Sequence, residues 1–232
     1  MPKPKLPSKE FTWTPELAYS VGLLVTDGNL SKDGRHMSLR SSDKDLLETF
    51  RICLHLKNRI AQTYNNGYAV RPSYRIQFGN VQFYDWLLRI GLFPAKTYTI
   101  GKIQIPGEYF RDFLRGHLDG DGSILTYSDD YNVYKGKRYL NTRIYTNFIS
   151  ASKRHILWLA RMIRSRASVQ GNIERSNAKE NRVPIWKIRF AKYESLTLLR
   201  WIYYRNRLPS LKRKRRLSEA LLKRVRNDRL VR

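Results

Sequence analysis

Short segments of the 232-residue chain recur in the same order in its two halves, and this duplication constrains the fold more than any other feature. The run Gly22-Leu-Leu-Val-Thr-Asp-Gly28 returns as Gly116-His-Leu-Asp-Gly-Asp-Gly122. Three further pairs follow in the same order: Ser42–Leu47 with Ala151–Ile156, Tyr74–Gly79 with Trp186–Ala191, and Leu92–Lys96 with Leu208–Lys212. Self-similarity of this kind indicates a repeated folding unit. We therefore predict an N-terminal unit over residues 11–100, a linker over 101–107 and a C-terminal unit over 108–232.

Each copy has the pattern of a helix, two strands, a helix, two strands and a final helix, which predicts an α+β fold of tandem αββαββα repeats. Thr14 followed by Pro15 is typical of a helix start, and this helix is expected to end near Thr26. Apolar and polar residues alternate from Tyr74 to Phe78, as in a strand with one buried face. Further elements are predicted as a hairpin turning at Lys32–Gly34, a helix capped by Asp43, strands near 58–64 and 69–78, a helix over Val81–Ile90, a helix over 108–119, a longer hairpin over 123–142, and a helix over Leu217–Val225.

The charge of the chain is strongly positive. Lys and Arg number 45 against 19 Asp and Glu, which gives a formal net charge of +26. A chain with this charge repels itself unless a polyanion neutralises it, so nucleic acid is the expected partner. On charge alone, a structural RNA-binding protein fits as well as a DNA-binding one.

Cysteine usage and hydropathy exclude several other classes. Cys53 is the one cysteine, so the chain forms no internal disulfide and has no cysteine pair for a structural zinc site. The N-terminus lacks the apolar core of a signal peptide, and no stretch reaches the roughly 18 apolar residues of a membrane span. We expect no membrane partner, and a location in the cytoplasm or nucleoid, or in an organelle for an organelle-encoded chain. Binding to an anionic membrane surface is less favoured, because the charge is spread along the whole chain.

The solvated faces of the predicted sheets carry basic, amide, hydroxyl and aromatic side chains, with acids nearly absent. An ordinary solvated face would mix both charges, so this composition favours a nucleic-acid surface. An antiparallel sheet of this composition can enter the major groove of DNA and contact base edges. The predicted contact residues are Ser31, Lys32, His36, Ser38, Arg40, Arg71, Ser73, Arg75, Gln77, Tyr127, Arg143, Tyr145, Asn147, Lys187 and Arg189.

Each repeated glycine-containing helix ends in an aspartate followed by a glycine, and the two aspartates are Asp27 and Asp121. Gly22 and Gly116 weaken a helix, since glycine is about 1 kcal/mol worse than alanine there, but they allow two helix backbones to approach closely. Side-by-side packing of the two helices would bring both carboxylates to one end of the interface, where they repel unless cations lie between them. Mg²⁺ suits such a site, because it takes a few carboxylates and completes its shell with water and phosphate oxygens. A helix end followed by a turn is the alternative explanation of an isolated Asp-Gly pair.

The two segments Ser20–Gly28 and Leu114–Gly122 match the two signature helices of the LAGLIDADG homing endonucleases, and the chain resembles a two-motif, monomeric member of that family. The resemblance implies a pseudo-twofold saddle of two antiparallel sheets over DNA, with the signature helices at the interface. It also implies that Asp27 and Asp121 bind Mg²⁺, with Mn²⁺ or Ca²⁺ able to substitute in binding. We include Thr26 and Gly120, the residues directly before the aspartates, among the metal-site residues.

The resemblance further implies a basic residue near the scissile phosphates in each half, and Lys96 and Lys212 match that position. Their expected role is electrostatic stabilisation of the transition state or orientation of the attacking water. Lys212 has a generic alternative, because it begins a run of five basic residues. The first motif has Val25 where the family has its earlier acid; Asp119 keeps that acid in the second motif and is interpreted as a helix-end or interface residue.

These observations predict a site-specific homing endonuclease that makes a metal-dependent double-strand break in a long DNA target and leaves short 3′ overhangs. The single chain carries both halves, so a monomer is expected. The alternatives are an intron maturase, with intron RNA as the partner, or a non-cleaving DNA-binding regulator on the same scaffold. A general structural RNA-binding protein does not explain the paired motifs.

Overall fold

The two predicted repeats are present in the computed structural model, which describes residues 10–63, 72–134, 136–176 and 183–230. The first repeat contains α1 (Pro15–Thr26), β1 (Gly28–Leu30), β2 (His36–Ser41), α2 (Lys44–Cys53), β3 (Ile60–Thr63), β4 (Ser73–Gly79) and α3 (Val81–Arg89). The second contains α4 (Phe110–Asp119), β5 (Ser123–Tyr134), β6 (Lys137–Ser150), α5 (Lys153–Ala167), β7 (Asn172–Arg175), β8 (Trp186–Phe190) and α6 (Lys192–Ile202). A last helix, α7, spans Lys212–Leu230.

Each repeat contains one four-stranded antiparallel sheet, and the two sheets have the same topology. The strand orders are β1-β2-β4-β3 and β5-β6-β8-β7, with all described pairs antiparallel. The predicted α+β fold with two antiparallel sheets is therefore confirmed. Within the described residues, no helix is both long enough and apolar enough to cross a membrane.

Local sequence signals explain where the first elements begin and turn. The hydroxyl of Thr14 accepts a hydrogen bond from the backbone N–H of Leu17 at 3.1 Å, which caps α1 in front of Pro15. In the first hairpin the carboxylate of Asp33 accepts hydrogen bonds from the backbone N–H groups of the two residues after Gly34. Gly34 has a φ of +73°, a conformation that glycine adopts without strain.

Each sheet buries one face under helices and leaves the other open. In the first sheet the buried face carries Met37, Leu39, Ile76 and Phe78. In the second sheet the buried face carries Ile144, Phe148, Ile188 and Phe190. Because successive strand residues point to opposite faces, the polar residues between them lie on the open face, as the alternation predicts.

The two repeats meet along α1 and α4, whose backbones are in contact. A Cβ atom built at Gly22 would lie 2.2 Å from the carbonyl oxygen of Phe113, and one built at Gly116 would lie 2.1 Å from that of Tyr19. Real side chains do not fit at these distances, so each glycine is required by the close approach of the other helix. The two helices therefore pack against each other at the interface, as the glycine pattern predicts.

Two helices differ from their predicted bounds. The last helix begins at Lys212 rather than Leu217, because Leu211, Lys214 and Ser218 are buried at helical spacing and the buried face therefore extends into the basic run. The helix predicted over 108–119 begins at Phe110, after a short 3-10 helix over Gly107–Tyr109.

Asp43 stands at the predicted capping position of α2, but its side chain makes no capping hydrogen bond. Its carboxylate instead accepts a hydrogen bond from the guanidinium of Arg213, at 2.9 Å. Arg213 belongs to α7, so this ion pair ties the last helix of the second repeat to the first repeat.

Candidate metal centre and nucleic-acid interface

Asp27 and Asp121 lie at the same end of the α1–α4 interface. A Cβ atom built at Gly120 would lie 2.0 Å from the hydroxyl oxygen of Thr26 and 2.8 Å from a carboxylate oxygen of Asp27. The end of α1 therefore touches the turn that follows α4, and the next residue in that turn is Asp121. All four residues predicted for the metal site are brought together here.

The two carboxylates are buried close to each other, and this arrangement disfavours their ionised forms. Burial, and next the negative charge of Asp121, raises the pKa of Asp27 from 3.8 to about 7, against the opposing effects of Lys214 and Lys96. Loss of surrounding water also raises the pKa of Asp121, and the same two lysines oppose this rise. A cation placed at the helix ends would favour the ionised form of both groups.

Lys96 lies directly beneath the first motif. It begins a short 3-10 helix after α3, is buried, and donates a hydrogen bond from Nζ to the carbonyl oxygen of Gly28, the residue after Asp27. Burial lowers the pKa of Lys96 to about 8, while Asp121 and Asp27 oppose that shift. The ammonium is therefore close enough to both carboxylates to be influenced by each of them.

In the second repeat the equivalent lysine is Lys214, and the prediction of Lys212 is corrected. Lys214 is buried, and its Nζ donates to the carbonyl oxygens of Gly122, at 2.7 Å, and of Leu118, at 2.6 Å. It also donates to the carbonyl oxygens of Asp119 and Gly120. Burial lowers the pKa of Lys214 to about 8, with Asp119 opposing most strongly.

Lys212 is exposed and lies on the opposite side of the first turn of α7. The sequence alignment of Leu92–Lys96 with Leu208–Lys212 selected the wrong lysine, because it assumed the same spacing after the leucine in both repeats. The available signal was helical phase: a lysine three residues after buried Leu211 falls on the apolar face of α7, whereas Lys212 does not.

Asp119, the earlier acid of the second motif, is an interface residue. One of its carboxylate oxygens accepts hydrogen bonds from the hydroxyl of Tyr19, at 2.9 Å, and from the backbone N–H of Leu211, at 2.7 Å. Its other oxygen is buried without a partner, and burial raises its pKa to about 6. The residue thus joins α1, α4 and the start of α7 beneath the paired aspartates.

Two buried histidines lie beside the interface. His117 and His155 stack with ring centroids 5.3 Å apart, and their Nε2 atoms are 3.2 Å apart. Nδ1 of His155 lies 2.7 Å from the carbonyl oxygen of Gly101 in the linker. Burial lowers the pKa of both rings, in His155 to about 4, so the pair is neutral and structural at neutral pH.

The open face of the first sheet carries Ser38, Arg40, Ser73, Arg75 and Gln77 from the set of predicted contact residues. Arg40 and Arg75 are cross-strand partners, as are Ser38 and Gln77, and the Arg40 guanidinium donates to the hydroxyl of Ser73. Ser38 is buried between its neighbours, and Arg71 lies outside the described residues. Ser31, Lys32 and His36 lie at the hairpin turn, where His36 Nδ1 is 2.6 Å from Asp33.

The open face of the second sheet contains acids that the sequence pattern did not associate with it. Arg143 pairs with Asp129 at 2.7 Å, and Lys187 pairs with Glu174 at 2.7 Å. The expectation of a nearly acid-free face is therefore wrong for this sheet. The register of β7 against β8 places Glu174 opposite Lys187, and this pairing of residues 13 positions apart is not visible in a linear sequence. Tyr127, Tyr145, Asn147 and Arg189 share this face, with Asn147 buried and its amide donating to the hydroxyl of Ser123.

The donors at the helix ends fit a hard divalent cation that keeps several water or substrate ligands. They are two carboxylates and the backbone carbonyls of adjacent residues, and oxygen donors of this kind suit Mg²⁺ or Ca²⁺. Among the described residues, no cluster of three or more His, Cys, Asp or Glu could form a closed metal cage. A cation bound here would favour the ionised form of Asp27, whose pKa is raised. Because Gly120 has no side chain, the turn after α4 lies close to the Asp27 carboxylate.

Solved structures with the same arrangement include DNA-bound nucleases. The meganuclease I-AabMI bound to uncleaved DNA superposes with a TM-score of 0.60 at 9% identity, over 93% of this chain and 92% of that one. I-SmaMI bound to cleaved DNA gives 0.58 at 13% identity, over 93% and 89%. The chain has the LAGLIDADG fold. In this fold α1 and α4 form the interface between the two repeats, and Asp27 and Asp121 lie at one end of it.

The LAGLIDADG fold also matches the full-length DUF199/WhiA protein from Thermatoga maritima, with a TM-score of 0.55 at 12% identity. That match covers 96% of this chain and 63% of the WhiA chain. No protein-family model matches the sequence, and neither does any curated protein. Because one fold supports different activities, the function depends on the paired aspartates with their lysines and on the open faces of the two sheets.

Proposed function

We propose that the chain is a site-specific DNA endonuclease that makes a metal-dependent double-strand break. The observation that carries this proposal is the pairing of Asp27 and Asp121 at one end of the helix interface, with one buried lysine beside each. A purely structural helix end does not require two buried carboxylates that lie close enough to two buried ammonium groups to be influenced by them. The net charge of +26 supplies the attraction for a polyanionic duplex.

In this proposal the aspartates bind the metal and the lysines supply positive charge. Asp27 and Asp121, with the carbonyl groups of Thr26 and Gly120, would hold Mg²⁺, and Mn²⁺ or Ca²⁺ could replace it in binding. A bound Mg²⁺ supplies a more acidic water for attack on the phosphodiester and stabilises the leaving oxygen. Lys96 and Lys214 hold the carbonyl ends of the two motifs and place positive charge next to the reacting phosphates. Each half of the centre would act on one strand and leave short 3′ overhangs.

The two sheets would bind a long target, one half-site each. Cross-strand residues on their open faces offer guanidinium, amide and hydroxyl groups that can donate hydrogen bonds to base edges and phosphates. Because one chain supplies both sheets, we propose that it acts as a monomer. Because the two sheets carry different residues, we expect the two half-sites to differ in sequence.

A non-cleaving DNA-binding protein on the same scaffold is the second candidate, and the similarity to WhiA favours keeping it. An intron maturase that binds RNA is another non-cleaving alternative. The paired carboxylates favour cleavage, because a protein that only binds nucleic acid gains nothing from negative charge facing the phosphates.

The deciding experiment is cleavage of a randomised duplex library in Mg²⁺, followed by sequencing of product ends. Asp27→Asn and Asp121→Asn are compared with Asp85→Asn, which removes the same charge from an exposed position on α3. We expect one long site to be cut with 3′ overhangs by the wild type and by Asp85→Asn, and no cutting by the other two variants. Absence of metal-dependent cutting at saturating DNA occupancy would support the non-cleaving candidate instead.

A further inference from the structure

The open face of the second sheet carries an exposed apolar patch formed by Leu125 and Tyr127. Each residue is 50% exposed, and both lie on β5, two positions apart and therefore on one face. Leu125 is the cross-strand partner of Tyr145, and Tyr127 is the partner of Arg143. The patch is thus an exposed apolar area on the edge strand of the sheet, on a face that otherwise carries polar residues and Tyr145.

The cations around the patch already have partners within the protein. The guanidinium of Arg143 is paired with Asp129, and Glu174 is shared by Lys187, at 2.7 Å, and Arg189, at 3.6 Å. The Arg189 guanidinium also lies 4.0 Å from the ring centroid of Tyr145, within the range of a cation–π contact. These internal contacts reduce the capacity of this face to neutralise phosphates.

The first sheet differs in its charges. None of its four strands contains an acidic residue, and Arg40 lies directly across from Arg75. Like charges at cross-strand positions repel each other, and a polyanion relieves that repulsion. Its open face, with Gln77 and Ser73 beside the arginines, offers hydrogen bonds rather than apolar area.

We infer that the two sheets recognise DNA by different chemistry: the second sheet contacts thymine methyl groups through Leu125 and Tyr127, whereas the first uses hydrogen bonds and charge. The thymine methyl is the apolar group that a base edge presents in the major groove. Leu125 and Tyr127 are half-exposed on a face that would approach the groove. A thymine methyl there would let both side chains bury apolar area. This inference rests on the proposed binding of duplex DNA and does not require cleavage.

Replacement of thymidine by deoxyuridine tests the inference, because it removes the methyl group and leaves every hydrogen bond intact. A binding site is first selected from random duplexes in Ca²⁺, and each thymidine is then replaced in turn. We expect thymidine to be enriched in one half-site, with one or two replacements weakening binding about fourfold each, the effect of one buried methyl. Replacements in the other half-site should leave binding unchanged.

Protein variants assign the effect to the patch. Leu125→Ala should bind the thymidine and deoxyuridine sites equally at one position, with an unchanged dependence on salt. Leu157→Ala removes a leucine of α5 that is 40% exposed, against 50% for Leu125, and should retain the discrimination. Arg75→Gln should lower the slope of log affinity against log salt by about one and relax the preference in the opposite half-site.

The outcomes separate this inference from the proposed function. Specific binding without any effect of deoxyuridine, or a Leu125→Ala variant that discriminates like the wild type, overturns the inference and leaves the endonuclease proposal intact. Absence of any selected duplex site overturns both. Methyl-dependent binding without cleavage in Mg²⁺ upholds the inference and removes only the nuclease activity.

Discussion

Gly22 and Gly116 oppose each other where the two signature helices cross, and neither position has room for a methyl group. Because the nearest atoms are backbone atoms of the facing helix, an added Cβ has to separate the helices. We expect Gly116→Ala to lower the free energy of unfolding by about 1–3 kcal/mol, the usual effect of overpacking. Urea denaturation measures this change.

Gly34→Asn is the matched control for that substitution. Gly34 has open space around it, and its φ of +73° is a conformation that asparagine tolerates. The expected change in its unfolding midpoint is small. Equal destabilisation by both substitutions would contradict the argument that helix contact, rather than loss of glycine itself, is responsible.

The two candidate lysines of the second repeat can be distinguished by methionine substitution. Lys214→Met removes the ammonium that contacts four carbonyl groups around Asp121, and we expect single-turnover cleavage to fall by at least about tenfold. Lys212→Met removes an exposed charge and should change cleavage little. Binding in Ca²⁺ provides the control for DNA affinity. The reverse order of effects would restore Lys212 as the functional residue.

The raised pKa of Asp27 predicts how its neutral variant behaves. In the folded state its pKa is about 7 rather than 3.8, so the folded protein holds this proton more tightly than the unfolded chain. The stability that this group contributes is lost as pH rises through that window. In EDTA, Asp27→Asn should therefore melt at a higher temperature than the wild type at pH 8 and at nearly the same temperature at pH 4. Addition of Mg²⁺ should raise the Tm of the wild type only.

The buried histidine pair predicts sensitivity to acid. The pKa of His155 is lowered from 6.5 to about 4, so its neutral ring stabilises the fold fully above pH 6.5 and this stability is lost as pH falls toward 4. His155→Asn keeps an N–H group for the carbonyl of Gly101 and removes the titration. Its Tm should depend less steeply on pH between 6.5 and 4.5. A slope equal to that of the wild type would show that other groups control acid unfolding.

The sequence was sufficient for features that depend on local periodicity and on the duplicated motif. Helix starts such as Thr14, the hairpin at Gly34 and the convergence of Asp27 with Asp121 follow from caps, turns and repeated glycines. Lys214 was missed because its role depends on the phase of α7 over the end of α4, which is a tertiary contact. Glu174 was missed because strand register, rather than sequence proximity, places it opposite Lys187.

The backbone N–H of Leu211 and the ammonium of Lys214 both complete the centre from the far side of α4. Both are translated long after the two aspartates. A ribosome that terminates between Asp121 and Leu211 therefore releases a product that carries both metal-site carboxylates and Lys96 but lacks Lys214 and the N–H group that holds Asp119. On the proposed function, DNA-cutting capacity arises only once translation has passed Lys214, and truncated products present no nuclease hazard to the genome that encodes them.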